Sequence, residues 1–139
     1  MEKYLLLAMF CQVLLTFTVM VIMGRRRFSA ARNKKISMQD FATMELNNAG
    51  DNVRIADRNF INQFEIPVLF FIACLAALQF NSAGYLFVGL AFAFVTSRVI
   101  HTIVHIGANT LKVRYYTFLI GCLIVIAMWV SILMRAFAL

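Results

Sequence analysis

Of the 139 residues, 63% are hydrophobic and one is proline; the mean hydropathy is +0.83 and the formal net charge +7. Soluble domains hold roughly 45–50% apolar residues, so this composition excludes a water-soluble globule and indicates an integral membrane protein. The charge is not a nucleic-acid signal: eleven of the thirteen basic residues fall between Arg25 and Arg58 or between Arg98 and Arg114, as expected of short loops kept on the cytoplasmic side beside anionic lipid headgroups.

The first apolar run covers residues 4–23. It is too long for a secretory leader and is followed by a basic cluster, so it predicts a retained helix without cleavage. The hydrophilic loop after it, from Gly24 to Arg54, turns from basic to mildly acidic. Within it, residues 38–46 (MQDFATMEL) predict a short interfacial helix, and NNAGDN predicts a turn. A second helix is expected over 54–80. Its apolar part starts only at Pro67, so it must begin upstream, among Arg54, Arg58, Asn62 and Glu65. The NSAG turn is short enough to force an antiparallel hairpin with a third helix over 85–106. Gly107, Ala108 and Asn109 end that helix, and a fourth is expected over 112–136. The fold class is therefore an all-α, four-helix transmembrane bundle forming a single domain over 1–139. Loops one and three face the cytoplasm and both termini lie outside, most simply in a bacterial inner membrane.

Polar residues at membrane depth carry the functional signal. Arg58, Asn62 and Glu65 are spaced i, i+4, i+7, and Arg98, His101 and His105 are spaced i, i+3, i+7, so each set shares one helix face. Both sets lie toward the basic ends of adjacent antiparallel helices and can meet. Insertion scales place the cost of each such charge at about 2.5–3.5 kcal/mol, so these residues are expected to face a bundle interior or a cavity. One reading is a polar clamp in which Glu65 neutralises Arg58 or Arg98 and Asn62 fixes helix register. Against it, Arg58, Arg98 and Arg114 confront a single intramembrane carboxylate, Glu65, a cationic surplus that calls for an anionic ligand. The pair His101 and His105 also suits two metal or haem ligands, but only Glu65 or a second subunit could complete a zinc sphere, and no metal is assigned. Cys11, Cys74 and Cys122 lie in three different apolar runs without metal-type spacing and read as free thiols. Tyr115 and Tyr116 read as interfacial anchors.

The pattern Arg58-x-x-x-Asn62-x-x-Glu65, followed by Pro67, resembles the signature of the MAPEG superfamily, the membrane-associated proteins of eicosanoid and glutathione metabolism, in its bacterial type. Arg98-x-x-His101-x-x-x-His105, with Arg114 sixteen residues after Arg98, resembles the arginine, histidine, tyrosine and arginine series of the prostaglandin E synthase branch. His105 stands where that branch has tyrosine. The RRRF at 25–28 resembles the basic-aromatic end of the first helix in the same family.

The resemblance implies a homotrimer of four-helix subunits that binds glutathione, as cosubstrate, between subunits near the cytoplasmic face. Arg58, Asn62 and Glu65 would hold the peptide, one of Arg25 or Arg26 would come from a neighbouring subunit, and Arg98 and His101 would line the pocket. His105 would contribute an imidazole in place of the phenol. Arg114 would face the sulfur as the catalytic cation. The implied activity is that of a glutathione transferase or peroxidase acting on a lipophilic small molecule that enters from the bilayer. The alternative is a non-catalytic scaffold of the same fold that binds lipid or a small anion.

Overall fold

A computed structural model describes residues 1–33, 36–37, 39–40 and 49–137. Helix α1 covers Glu2–Arg32, α2 Asp51–Ile61, α3 Ile66–Gln79, α4 Tyr85–Ile106 and α5 Leu111–Ala136, with a 3-10 turn at Asn62–Phe64 between α2 and α3. There is no strand among the described residues. Taking α2 to α3 as one span, four helices are long and apolar enough to cross a membrane. The interfacial helix expected over 38–46 lies, apart from Gln39 and Asp40, outside the described residues.

The second span differs from the unbroken helix expected over 54–80. It starts at Asp51, tightens into the 3-10 turn, breaks at Glu65 (φ −94, ψ −103) and restarts at Ile66. Pro67 explains the break. It has no N–H to donate, and its ring collides with the carbonyl four residues back, so a helix arriving from α2 cannot run through it. In the first turn of α3 that missing donor costs nothing, so the proline starts one helix by ending another.

Helix α4 occupies the middle of the bundle. Half of its most apolar window is buried, against 22% for α1 and for α5, whose outer faces are left to lipid or to another chain. The core joins Leu5 and Ala8 of α1, Phe70, Ala73 and Ala77 of α3, Ala91 and Phe94 of α4, and Val125, Met128 and Ile132 of α5. The Phe70 and Phe94 rings stack at 4.5 Å. Gly121 lets α5 approach α4: a Cβ there would stand 3.3 Å from Ser97 Oγ and 3.8 Å from Arg98 Cδ. We expect Gly121→Leu to cost about 1–3 kcal/mol by prising these helices apart, read as a lowered Tm of the detergent-solubilised protein.

Both tight turns use asparagine in the left-handed region. Asn81 (φ 51) follows α3, where the Ser82 N–H donates to the Ala77 carbonyl at 2.7 Å. Asn109 (φ 48) follows α4, and its N–H donates to the Val104 carbonyl at 2.8 Å. Gly107 is required beside it, because a Cβ there would lie 2.8 Å from the Ile103 carbonyl oxygen.

At the end carrying the long loop and the 107–110 turn, hereafter the basic end, α1 is stapled to its neighbours. Arg26 donates to the Asn52 carbonyl (2.8 Å) and the Ile106 carbonyl (3.3 Å). Arg27 Nε donates to Asp57 Oδ1 at 2.7 Å. Deeper in the bundle, a buried polar network joins three α-helices and the 3-10 turn. Gln12 Nε2 donates to Gln63 Oε1 (3.1 Å), and Gln63 Nε2 reaches the Asn59 carbonyl (3.3 Å) and Thr102 Oγ1 (3.5 Å). In hydrocarbon such groups must find partners within the protein, so this network helps to set the register of α1, α2 and α4.

Candidate functional site

The break at Glu65 and the crossing of α2 with α4 create a cleft of about 340 Å³ at the basic end. Arg58, Asn62 and Glu65 form one wall, His101 and His105 another, and Arg114, Tyr115 and Phe118 the third. A second cleft of about 580 Å³ adjoins it toward Asp51, Arg54 and Asn109. Arg58, His105 and Arg114 line both and stand at their junction.

Asn62 ties the wall together. With its amide turned to satisfy both sides, its nitrogen donates to Glu65 Oε2 at 3.1 Å and to the Arg58 carbonyl at 3.3 Å. Its own backbone carbonyl accepts from Arg98 Nη2 at 3.3 Å. Glu65 makes no ion pair with Arg58, Arg98 or Arg114, so the polar-clamp arrangement is not the one adopted. Arg98 itself is wholly buried, with Nε and Nη1 lacking any hydrogen-bond partner. Its guanidinium carbon lies 5.9 Å from the centroid of the Phe118 ring, an attraction that replaces little of what the cation loses by leaving water.

His101 Nδ1 lies 3.2 Å from the Arg114 carbonyl oxygen and 3.2 Å from Thr117 Oγ1. Because a carbonyl only accepts, Nδ1 carries the proton and Nε2 keeps the lone pair. That Nε2 is buried without a partner, as are both ring nitrogens of His105. The two imidazoles meet edge to face at 5.4 Å. Arg114 Nη1 donates to Asn109 Oδ1 at 2.7 Å. The arrangement offers a ligand several unused donors, two imidazoles and one carboxylate. An anion carrying one ammonium group fits this set.

Of the residues expected at the site, Arg58, Asn62, Glu65, His101, His105 and Arg114 line the cleft, and Arg98 lies behind it against Asn62. Arg25 and Arg26 do not line it within one chain. Glu65 is also not the lone carboxylate of this region. Asp57 is buried and answers Arg27, a pairing hidden in the sequence because Arg27 lies on α1, thirty residues away. Asn109 and Phe118 were missed as well. Only the position of Asn109, just after the helix-ending Gly107, hinted at a special backbone. Among the described residues no three His, Cys, Asp or Glu side chains stand close enough to hold a metal ion, so Glu65 does not complete a sphere with the two histidines.

The sequence model of the MAPEG family matches residues 5–134. No curated protein and no solved structure matches the chain. With almost its whole length covered, the chain belongs to the MAPEG family.

Proposed function

We propose that this MAPEG protein binds glutathione, or a thiol like it, in the cleft at its basic end and directs the thiolate at a lipophilic electrophile or a lipid hydroperoxide. The observation that carries this reading is the wholly buried Arg98, with two unpartnered donor nitrogens, beside Arg58 and Arg114 and only one cleft carboxylate. A tripeptide with two carboxylates, one ammonium and a thiolate matches that balance. Glu65, oriented by Asn62, takes the ammonium; Arg58 takes a carboxylate; Arg98, behind the cleft on the Asn62 carbonyl, lends its positive charge to that wall; Arg114 faces the sulfur. A fixed cation beside a thiol favours the thiolate and so supplies a nucleophile at neutral pH.

In conjugation the sulfur forms a bond to an electrophilic carbon. In peroxide reduction the thiolate takes the distal oxygen, the alkoxide collects a proton, and a second thiol converts the sulfenic acid to disulfide and water. The active assembly is a homotrimer that joins the open apolar faces of α1 and α5, with the basic end in the cytoplasm. Arg26 is already engaged within its own chain, so the exposed Arg25 is the residue that reaches a neighbouring cleft.

The exposed side chains of Leu111 and Tyr115 at the cleft mouth favour a second reading, a scaffold that holds an anionic lipid there without chemistry. Ultraviolet titration separates the two. In purified protein we expect glutathione to raise a saturable thiolate absorbance near ~240 nm at neutral pH, lost in Arg114→Ala while the peptide still binds. No signal at millimolar glutathione, together with copurifying anionic lipid, would establish the second reading instead.

A further inference from the structure

Arg114 stands at the junction of the two clefts, and one contact at the far end of its side chain restrains it. Asn109 Oδ1 accepts from its Nη1 at 2.7 Å. The asparagine itself is held firmly. Its backbone adopts φ 48, its N–H donates to the Val104 carbonyl at 2.8 Å, and the turn begins at Gly107, where a Cβ would strike the Ile103 carbonyl oxygen. Asparagine is among the few residues with a side chain that enter this conformation readily, and its short carboxamide keeps an acceptor close to the backbone. The turn therefore presents Oδ1 from a fixed platform to a side chain that would otherwise have about 2 kcal/mol of rotamer freedom.

The opposite end of the Arg114 residue is also engaged. Its backbone carbonyl receives the His101 Nδ1 proton, so α4 addresses the residue through its main chain while the turn addresses it through its guanidinium. A guanidinium has five N–H donors in a rigid fork. Occupying Nη1 restrains the fork at one nitrogen and leaves the other donors for whatever enters the cleft.

We infer that Asn109 is a positioning residue, which sets where the Arg114 guanidinium stands between the two clefts through its side-chain oxygen and not through the turn alone. The consequence for thiolate stabilisation rests on the function proposed above; the placement of Arg114 does not.

Two variants of the full chain separate the oxygen from the backbone. Asn109→Gly accepts φ 48 without strain and removes the acceptor. Asn109→Asp keeps both the conformation and an acceptor. The probe is phenylglyoxal, which modifies arginine, with Arg114 and Arg58 followed by peptide mass spectrometry in detergent. We expect the modification rate of Arg114 to rise at least about ten-fold in Asn109→Gly, the order expected for releasing one hydrogen bond to a charged group. It should stay at or below the parent rate in Asn109→Asp, with Arg58 unchanged in both. An unchanged Arg114 rate in Asn109→Gly would overturn the inference. So would an Asp variant as fast as the Gly variant, or an equal rise at Arg58, which would mean only a loosened turn.

With glutathione, Asn109→Gly should lower the saturating thiolate absorbance while the half-saturating concentration stays within about two-fold, since the peptide-holding residues are untouched. Absence of any thiolate signal in the parent protein would remove the thiol reading of the cleft, and the arginine measurement would still judge Asn109.

Discussion

Arg98→Met should weaken glutathione binding about 10-fold while leaving the ligand-free protein at least as stable as the parent. Two nitrogens of the buried guanidinium have no partner, so in the empty protein its charge is desolvated with only the Asn62 carbonyl and the Phe118 ring in return. Methionine is flexible, apolar and of suitable length to occupy the space against Phe118 and Gly121. Replacing buried charge by well-packed apolar groups is often neutral or stabilising by about 1–4 kcal/mol. Loss of that positive charge behind the Asn62 wall should weaken glutathione by about 10-fold, the order of one charge interaction across roughly 10 Å at an effective dielectric near 20. Calorimetric titration and a thermal melt on the same preparation measure the two effects. A residue that served helix register alone would give the reverse pattern, a lower Tm with binding lost only in proportion to unfolding.

Arg27→Ala should produce the largest loss of stability of any single change at the basic end. Asp57 is buried, its Oδ2 already lacks a partner, and its Oδ1 is answered by Arg27 Nε at 2.7 Å. Removing one partner of a buried pair typically costs about 3–5 kcal/mol, because the other charge stays buried and unpaired. The Arg27 side chain is 23% exposed, which places the expected cost near the lower figure. Adding Asp57→Ala to Arg27→Ala should restore most of the Tm, since the double variant strands no charge. If the double variant melts as low as the single one, α1 is held at this end mainly by contacts other than the ion pair.

The architecture was legible because its signals are local. Long apolar runs, the NSAG turn and the Gly107 to Asn109 punctuation each announce themselves within a few residues, and the four spans follow. The cleft residues were legible because charges on apolar helices are conspicuous, and helical spacing puts Arg98, His101 and His105 on one face. Less accessible was anything decided by a distant partner. The network of Gln12, Asn59, Gln63 and Thr102 consists of uncharged residues scattered over three α-helices and the 3-10 turn, none of which stands out in its own segment. Arg26 reads as a cation in search of a ligand until its two carbonyl acceptors, one of them eighty residues away, are known. The spacing of Arg58, Asn62 and Glu65 suggested a regular helix, yet the face they share is completed by a 3-10 turn.

That turn leaves the second span cut like a screw with two threads. A 3-10 helix advances about 20° more per residue than an α-helix, so three residues add about 60° of rotation. The break at Glu65 adds its own deflection. The stripe of α2 is thereby phased toward α1 and α4, and the stripe of α3 toward α1 and α5. One polypeptide rod thus serves two sets of neighbours, and its phase changes where Glu65 enters the cleft. A one-residue slip of α3 would rotate Phe70, Ala73 and Ala77 by about 100°, out of the core, so the register of the lower half is held by its own neighbours and not by the stripe above the break.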